Sequence, residues 1–256
     1  RPTAGDTRGQ ASTRDGDICQ HMEQMALNTI GLIGGLSWES TALYYELINR
    51  GVRERLGGLH SAPIVLWSFD FAEVERLQAD DEWDRAGRLI ASAARELEEV
   101  GAECVAICSN TMHRCADAVQ GAVAIPLLHI ADAAADAVQE QGARCVGLLG
   151  TRHTMEDDSY RARLAGRHGL DVRMPDEDGR ALVHRVIYDE LCQGVIREES
   201  KRAFVALAEE MAQDGAEGVI LGCTEIGMLL TETDLSVAVF DTTEIHARAA
   251  VDFCLS

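Results

Sequence analysis

The feature that most constrains this chain is that it repeats itself. Gly101-Ala102-Glu103-Cys104-Val105-Ala106-Ile107-Cys108-Ser109-Asn110-Thr111 is echoed 114 positions later, without a gap, by Gly215-Ala216-Glu217-Gly218-Val219-Ile220-Leu221-Gly222-Cys223-Thr224-Glu225. A second echo relates Ile30-Gly31-Leu32-Ile33-Gly34-Gly35 to Val146-Gly147-Leu148-Leu149-Gly150-Thr151 at an offset of 116. Two echoes at nearly one offset imply two copies of one unit, longer than the units of solenoid repeats. A chain of 256 residues has room for them, because a lobe of about 100 residues can bury a core of its own.

The unit is of the α/β type. Short apolar runs alternate with longer amphipathic stretches, the pattern of a mainly parallel sheet flanked by helices. Strands are expected at 29–33, 64–68, 104–108, 145–149, 170–173, 218–221 and 237–240. Helices are expected at about 39–56, 83–100, 111–120, 130–141, 158–167, 178–193, 199–214 and 243–254. In the 199–214 stretch, Phe204, Leu207, Ala208 and Met211 fall on one helical face. The organisation expected is two pseudo-symmetric lobes, one from 27–127 plus 238–256 and the other from 128–237. Residues 1–26 lack any hydrophobic period and read as a disordered tail or expression remnant.

Composition excludes several functions. A formal net charge of −20 would repel a nucleic-acid backbone, and no basic stripe offsets it. No apolar run approaches the ~18 residues of a membrane span. The eight cysteines show no paired C-x-x-C spacing, so a reduced, cytoplasmic chain is expected, with most thiols in the core. Lys201 is the chain's one lysine. It stands in the polar opening turn of a helix, whereas pyridoxal phosphate needs an enclosed lysine for its Schiff base. Gly31-x-x-Gly34-Gly35 is not a dinucleotide fingerprint, no phosphate loop is present, and His113, His129, His184 and His246 lack metal-ligand spacing. No cofactor and no metal are expected, and a homodimer is.

In each lobe the first polar residues after the repeated strand mark the functional loop. These are Ser109-Asn110-Thr111 and Cys223-Thr224-Glu225, facing a crevice between the lobes, where open α/β sheets bind their ligands. Amides at the strand ends, with Asn110, Thr111 and Thr224, suit a substrate carboxylate; each residue alone is equally a plain helix cap. Cys223 is a poor cap, and a helix start there would lower its pKa. Its mate is Ser109. Cys108, one position earlier, turns to the other face of the strand and reads as core.

The segments Gly31–Thr41, Ser109-Asn110-Thr111-Met112-His113 and Gly222-Cys223-Thr224-Glu225-Ile226 together resemble the three signature stretches of the aspartate/glutamate racemase family. The resemblance runs from about Thr29 to Ser256. It implies two lobes enclosing one amino acid, and proton exchange at its α-carbon between two cysteines on opposite faces, without a cofactor. Cys223 then takes the place of the second cysteine and Ser109 that of the first. Asn110, Thr111, Thr224, Glu225, Gln78 in the loop after the second strand, and the backbone near Leu36 surround the substrate.

Ser109 is the departure from the family pattern: a hydroxyl is a weak base at neutral pH. Relatives with threonine at this place imply one-sided activity, on the L enantiomer. The resemblance also asks for a cation to hold an acidic side chain, and Arg180 is the candidate. The substrate expected is an acidic or small polar amino acid. Two rivals follow from the same residues: a one-cysteine decarboxylase of the arylmalonate type, and a catalytically silent amino-acid-binding protein.

Overall fold

The structure, a computed structural model, describes residues 26–256; apart from Ala26, the tail expected over 1–26 lies outside the described residues. Two four-stranded sheets are present, each wholly parallel. The first has the order β2-β1-β3-β4, from β1 (Ile30–Gly34), β2 (Ile64–Ser68), β3 (Cys104–Ile107) and β4 (Leu127–Leu128). The second has the same order in its own numbering, β6-β5-β7-β8, from β5 (Cys145–Gly150), β6 (Asp171–Arg173), β7 (Gly218–Gly222) and β8 (Ala238–Asp241). Repeated sequence thus makes repeated topology: β1 matches β5 and β3 matches β7. β1 and β7 are buried along their whole length, as parallel strands covered on both faces must be.

The helices are α1 (Trp38–Leu56), α2 (Phe71–Ala79), α3 (Trp83–Glu99), α4 (Ala116–Gln120), α5 (Ile130–Glu140), α6 (Arg152–Glu156), α7 (Asp158–His168), α8 (Glu177–Asp189), α9 (Glu198–Gln213) and α10 (Thr242–Cys254). On one face of the first sheet, Ile33, Val105 and Ile107 pack with Ile90 and Leu97 of α3. On the other, Ile30, Leu32, Cys104, Ala106 and Cys108 pack with Tyr44, Ile48 and Val52 of α1 and with Ala247, Ala250, Val251 and Cys254 of α10. The alternation along β3 sets Cys108, 1% exposed, on the α1–α10 side. The second sheet has one continuous core, to which α5 contributes Ile130, Ala131, Ala135 and Val138.

The two lobes exchange a helix. α5 follows β4 of the first sheet but lies on the second lobe's core, and α10 follows β8 of the second sheet but lies on the first lobe's. Polar ties fix both. Asp132 of α5 takes a two-pronged bond from Arg163 of α7, 2.7 Å on each prong, and Asn28 donates to the α10 carbonyls of Cys254 and Phe253. The chain therefore crosses at His129 and again at Thr242. The division expected at 128 and 238 is displaced accordingly: Ala238–Asp241 pairs with β7 and belongs to the second sheet. Its apolar run is a strand that needs a neighbour, and β7 offers the open edge.

Three local differences from the sequence reading bear on the site. Residues 70–79 are not a loop: Asp70 accepts from the Ala72 amide and caps α2, which carries Gln78. The stretch 111–120 is a 3₁₀ turn, Thr111–Cys115, followed by α4. The stretch 178–193 is α8 and then a separate 3₁₀ turn, Leu191–Gln193. The two-residue β4 and the short α6 are too brief to leave a period in the sequence. No helix among the described residues is long and apolar enough to cross a membrane.

Candidate active site

A narrow cleft of about 50 Å³ opens between the carboxyl ends of the two sheets. Lobe one supplies Leu36 and Ser37 after β1, Ser40 on α1, Phe71 and Gln78 on α2, and Ser109, Asn110 and Thr111 after β3. Lobe two supplies Thr151 after β5, Ile187 and Tyr188 on α8, Cys192 in the 3₁₀ turn, and Cys223, Thr224 and Glu225 after β7. The close approach begins at Gly35, φ 70°. A side chain there would collide with the Phe69 backbone, and only glycine adopts this conformation freely.

Cys223 has a defined partner. Its thiol donates to Glu225 Oε2 at 2.9 Å, and Ser40 Oγ donates to the other carboxylate oxygen at 3.3 Å. Glu225 is 8% exposed, so its charge is weakly screened. Burial first, and the Glu225 carboxylate second, push the Cys223 thiol well above its ordinary value. The lowering expected from a helix start is thereby reversed. The element after Cys223 is a 3₁₀ turn of five residues, Thr224–Met228, too short to gather much dipole, and it brings a carboxylate against the sulfur.

The lobe-one loop is held from behind. His113 Nε2 accepts from the Ile130 amide at 3.1 Å, which fixes the tautomer, so its Nδ1–H donates to the Ser109 carbonyl at 2.7 Å. Burial, then the neighbouring His129 and His246 rings, hold His113 neutral, with its pKa well below the usual value. Ser109 Oγ accepts from the Met112 amide at a long 3.4 Å, which leaves its proton and a lone pair for the cleft. Asn110 spans the lobes: it donates to Thr242 Oγ1 at 2.9 Å and accepts from Tyr160 at 3.2 Å. Thr111 meets Thr151 hydroxyl to hydroxyl at 3.0 Å. Thr224 lies against the cleft, 8% exposed.

Of the residues expected around the substrate, Leu36, Gln78, Ser109, Asn110, Thr111, Cys223, Thr224 and Glu225 are brought together. Arg180 is not among them. Its guanidinium bonds to Glu156 at 3.0 Å and to the Pro175 carbonyl at 2.8 Å. The part of α8 that reaches the cleft, Ile187 and Tyr188, is two turns further on, about 10 Å along the axis. Lys201 is also elsewhere, paired with Asp234 at 2.7 Å, so the cleft holds no amine for a Schiff base. Sequence reasoning missed Ser40, Tyr188, Cys192 and the support from His113. Thr151 was within its reach, as the repeat places it opposite Gly35; Cys192 and Tyr188 carry no such signal.

A two-lobed α/β fold with paired strand-end loops, one bearing a thiol on a carboxylate, defines the class. The family model described as Asp/Glu/Hydantoin racemase matches residues 33–250, and the chain belongs to this family of racemases, which are isomerases. It is 23% identical over 237 residues to the broad specificity amino-acid racemase RacX of Bacillus subtilis (strain 168), covering 89% of this chain and 98% of that one. A crystal structure of a candidate Asp/Glu racemase from Yersinia pestis is 50% identical, with a TM-score of 0.86 over 90% of this chain and all of the other. An aspartate racemase homologue from Pyrococcus horikoshii OT3 is 35% identical, with a TM-score of 0.80 and coverage of 90% and 100%.

Proposed function

We propose that this protein racemises a free amino acid at its α-carbon, without a cofactor, by proton transfer between Cys223 on one side and Ser109 on the other. The observation that carries the reading is the Cys223 thiol bonded to Glu225 in a cleft whose opposite wall is the Ser109 loop. Asn110, Thr111, Thr224 and the strand-end amides hold the substrate carboxylate, and Glu225 faces its ammonium group. Glu225 takes the thiol proton, and the thiolate then removes the α-proton. The electron pair left on the α-carbon delocalises into the carboxylate, which those neutral donors stabilise. Ser109 returns a proton to the opposite face and is itself reprotonated by water, and the hydroxide so formed takes the proton held by Glu225, which restores the starting state.

The serine makes the two directions unequal, so a hydroxyl-for-cysteine racemase acting faster on L than on D is the accompanying proposal. Two further proposals have their own supports. A homodimer accords with Trp38, Tyr45, Leu66 and Trp67, large side chains left exposed on α1 and the edge strand β2. A cytoplasmic setting accords with the seven described cysteines, all free thiols. Deuterium wash-in at the α-carbon from heavy water, across L- and D-amino acids, tests the main reading. Wild type should exchange and Cys223→Ser should not. Tight binding without exchange would instead mark a binding protein. The hydroxyl of Ser109 in place of a second thiol also favours, as a second reading, a one-thiol decarboxylase; release of carbon dioxide from disubstituted malonates, with no amino-acid exchange, would establish it.

A further inference from the structure

The side chain of Asn110 is a planar amide with two unlike ends, and only one of them can serve a carboxylate. The nitrogen donates and the oxygen accepts, so the end turned to the substrate decides whether the residue binds or repels it. Thr242, the first residue of α10, settles the choice. Its hydroxyl donates to the Leu221 carbonyl of β7 at 2.7 Å. A carbonyl offers lone pairs only, so the hydroxyl proton is spent there and Oγ1 has only lone pairs for Asn110 Nδ2, 2.9 Å away. The amide nitrogen therefore belongs on the Thr242 side. Tyr160 of α7 meets the other end, its hydroxyl donating to Asn110 Oδ1 at 3.2 Å.

This arrangement leaves one N–H. An amide nitrogen carries two protons; Thr242 takes one, and the other has no acceptor among the described residues. Asn110 lines the cleft, whereas Thr242 and Tyr160 do not. Turning the amide over would set its oxygen against Thr242 Oγ1, acceptor to acceptor, or draw the hydroxyl proton away from Leu221. Asn110 and Tyr160 are each 5% exposed and Thr242 is 0% exposed, so water cannot make good either loss. Tyr160 does not set the direction, because a phenol hydroxyl both donates and accepts and would follow an inverted amide. Polarity thus runs from a backbone carbonyl of the second lobe, through Thr242, to a side chain of the first.

We propose that Thr242 is a positioning residue, which fixes the direction of the Asn110 amide so that its free N–H is presented to the substrate's α-carboxylate. The proposal rests on the racemase reading and adds to it a residue outside the cleft. Thr242→Val keeps the shape and removes the hydroxyl, Thr242→Ser keeps the hydroxyl and removes a methyl, and Tyr160→Phe removes the partner that does not set direction. In α-proton exchange Thr242→Val should lower kcat/KM by about tenfold or more, the usual worth of a hydrogen bond to a charged group, chiefly through KM. The carboxylate is common to both enantiomers, so the L to D ratio should stay within about twofold of wild type. Thr242→Ser should keep KM within about twofold of wild type, and Tyr160→Phe should lose about threefold in kcat/KM.

Calorimetric titration with the same L- and D-amino acids separates a failure of this proposal from a failure of the racemase reading. The same order of affinities among the variants, in a protein that exchanges nothing, would keep the role of Thr242 and discard the racemase. Wild type that neither binds nor exchanges any of them would overturn both. Thr242→Ser as impaired as Thr242→Val would mean that packing, not polarity, holds the amide. A loss in Tyr160→Phe as large as in Thr242→Val would move the role to the phenol, and either result overturns the proposal. Circular dichroism melting checks that each variant is folded. If Thr242→Val does not fold, Thr242→Cys takes its place, since a thiol is a weak donor and acceptor; its loss should exceed that of Tyr160→Phe, and the reverse order would overturn the proposal.

Discussion

The loops after β3 and β7 stand at equivalent places in the repeat and have been put to different use. The first is braced: His113 holds the Ser109 carbonyl, and Asn110 is pinned between Thr242 and Tyr160. The second carries the thiol of the proposed mechanism: it rests on a carboxylate two residues away, and that carboxylate's other bond comes from Ser40 in the opposite lobe. Duplication has kept the backbone of the loop while three side chains decide its chemistry. In the proposed mechanism one half presents a held set of neutral donors and the hydroxyl that returns the proton, and the other presents the thiol and its carboxylate.

If that division of labour is right, the largest effect should come from the reactive half. Cys223→Ser should lower α-proton exchange by about 10²-fold or more, the usual cost of losing a proton-transfer group, with the circular dichroism spectrum unchanged. Exchange within a few-fold of wild type would place the chemistry elsewhere.

Making the halves alike should have a smaller effect of the opposite sign. Ser109→Cys puts a thiol of ordinary pKa about 8.5 where a hydroxyl stood, and exchange of the slower enantiomer should rise about tenfold. Ser109→Ala should slow that enantiomer further. No change in the L to D exchange ratio with either variant would mean that Ser109 takes no part in proton transfer.

Glu225→Gln sharpens the comparison through pH. Burial and the carboxylate hold the Cys223 thiol protonated at neutral pH, so exchange that depends on the thiolate should rise with pH. Removing the charge lets the thiol ionise sooner and should move the rising limb to lower pH by about one unit. The maximum should fall severalfold, because the proton acceptor is gone. Stability has the reverse sign. A thiol whose pKa is raised in the folded state stabilises the protein below its unfolded value and ceases to do so as pH rises through the folded one. Urea midpoints taken across the alkaline range should therefore decline less in the variant.

The smallest effect belongs to Cys108. Its side chain packs with Tyr44 and α10, and burial pushes its pKa up, so Cys108→Ala should cost about 1 kcal/mol of stability and leave kcat within a few-fold. Loss of exchange in this variant, with Ser109→Ala active, would shift the partner of Cys223 by one residue.

Much of this architecture was legible because the repeat fixed it: four of the eight strands lie inside the two echoes, and both functional loops end one of them. What escaped was either too short to show a period or set by tertiary contact. β4 is two residues of backbone pairing. α2 hides because its nine residues follow an Asp cap within a stretch otherwise read as loop. Arg180 was misplaced because a helix face cannot by itself tell which turn reaches a cleft. The thiol's raised pKa was invisible because it depends first on burial and then on Glu225 folding back onto Cys223, which a reading of cap residues takes for two unrelated positions.

The exchanged helices say something about origin. α5 and α10 end equivalent halves, yet each completes the core of the other half, with Ala131 and Ala135 on one and Ala247 and Ala250 on the other buried in lobes their preceding strands do not belong to. A single half with this connectivity would leave its sheet uncovered on one face and its last helix without a seat. Two such chains remedy both defects by trading helices across a two-fold axis. The repeat and the traded helices together have the form of a domain-swapped pair of half-length chains joined into one. Within a single chain the trade leaves the two strand-end loops free to differ in sequence, as Ser109 and Cys223 do.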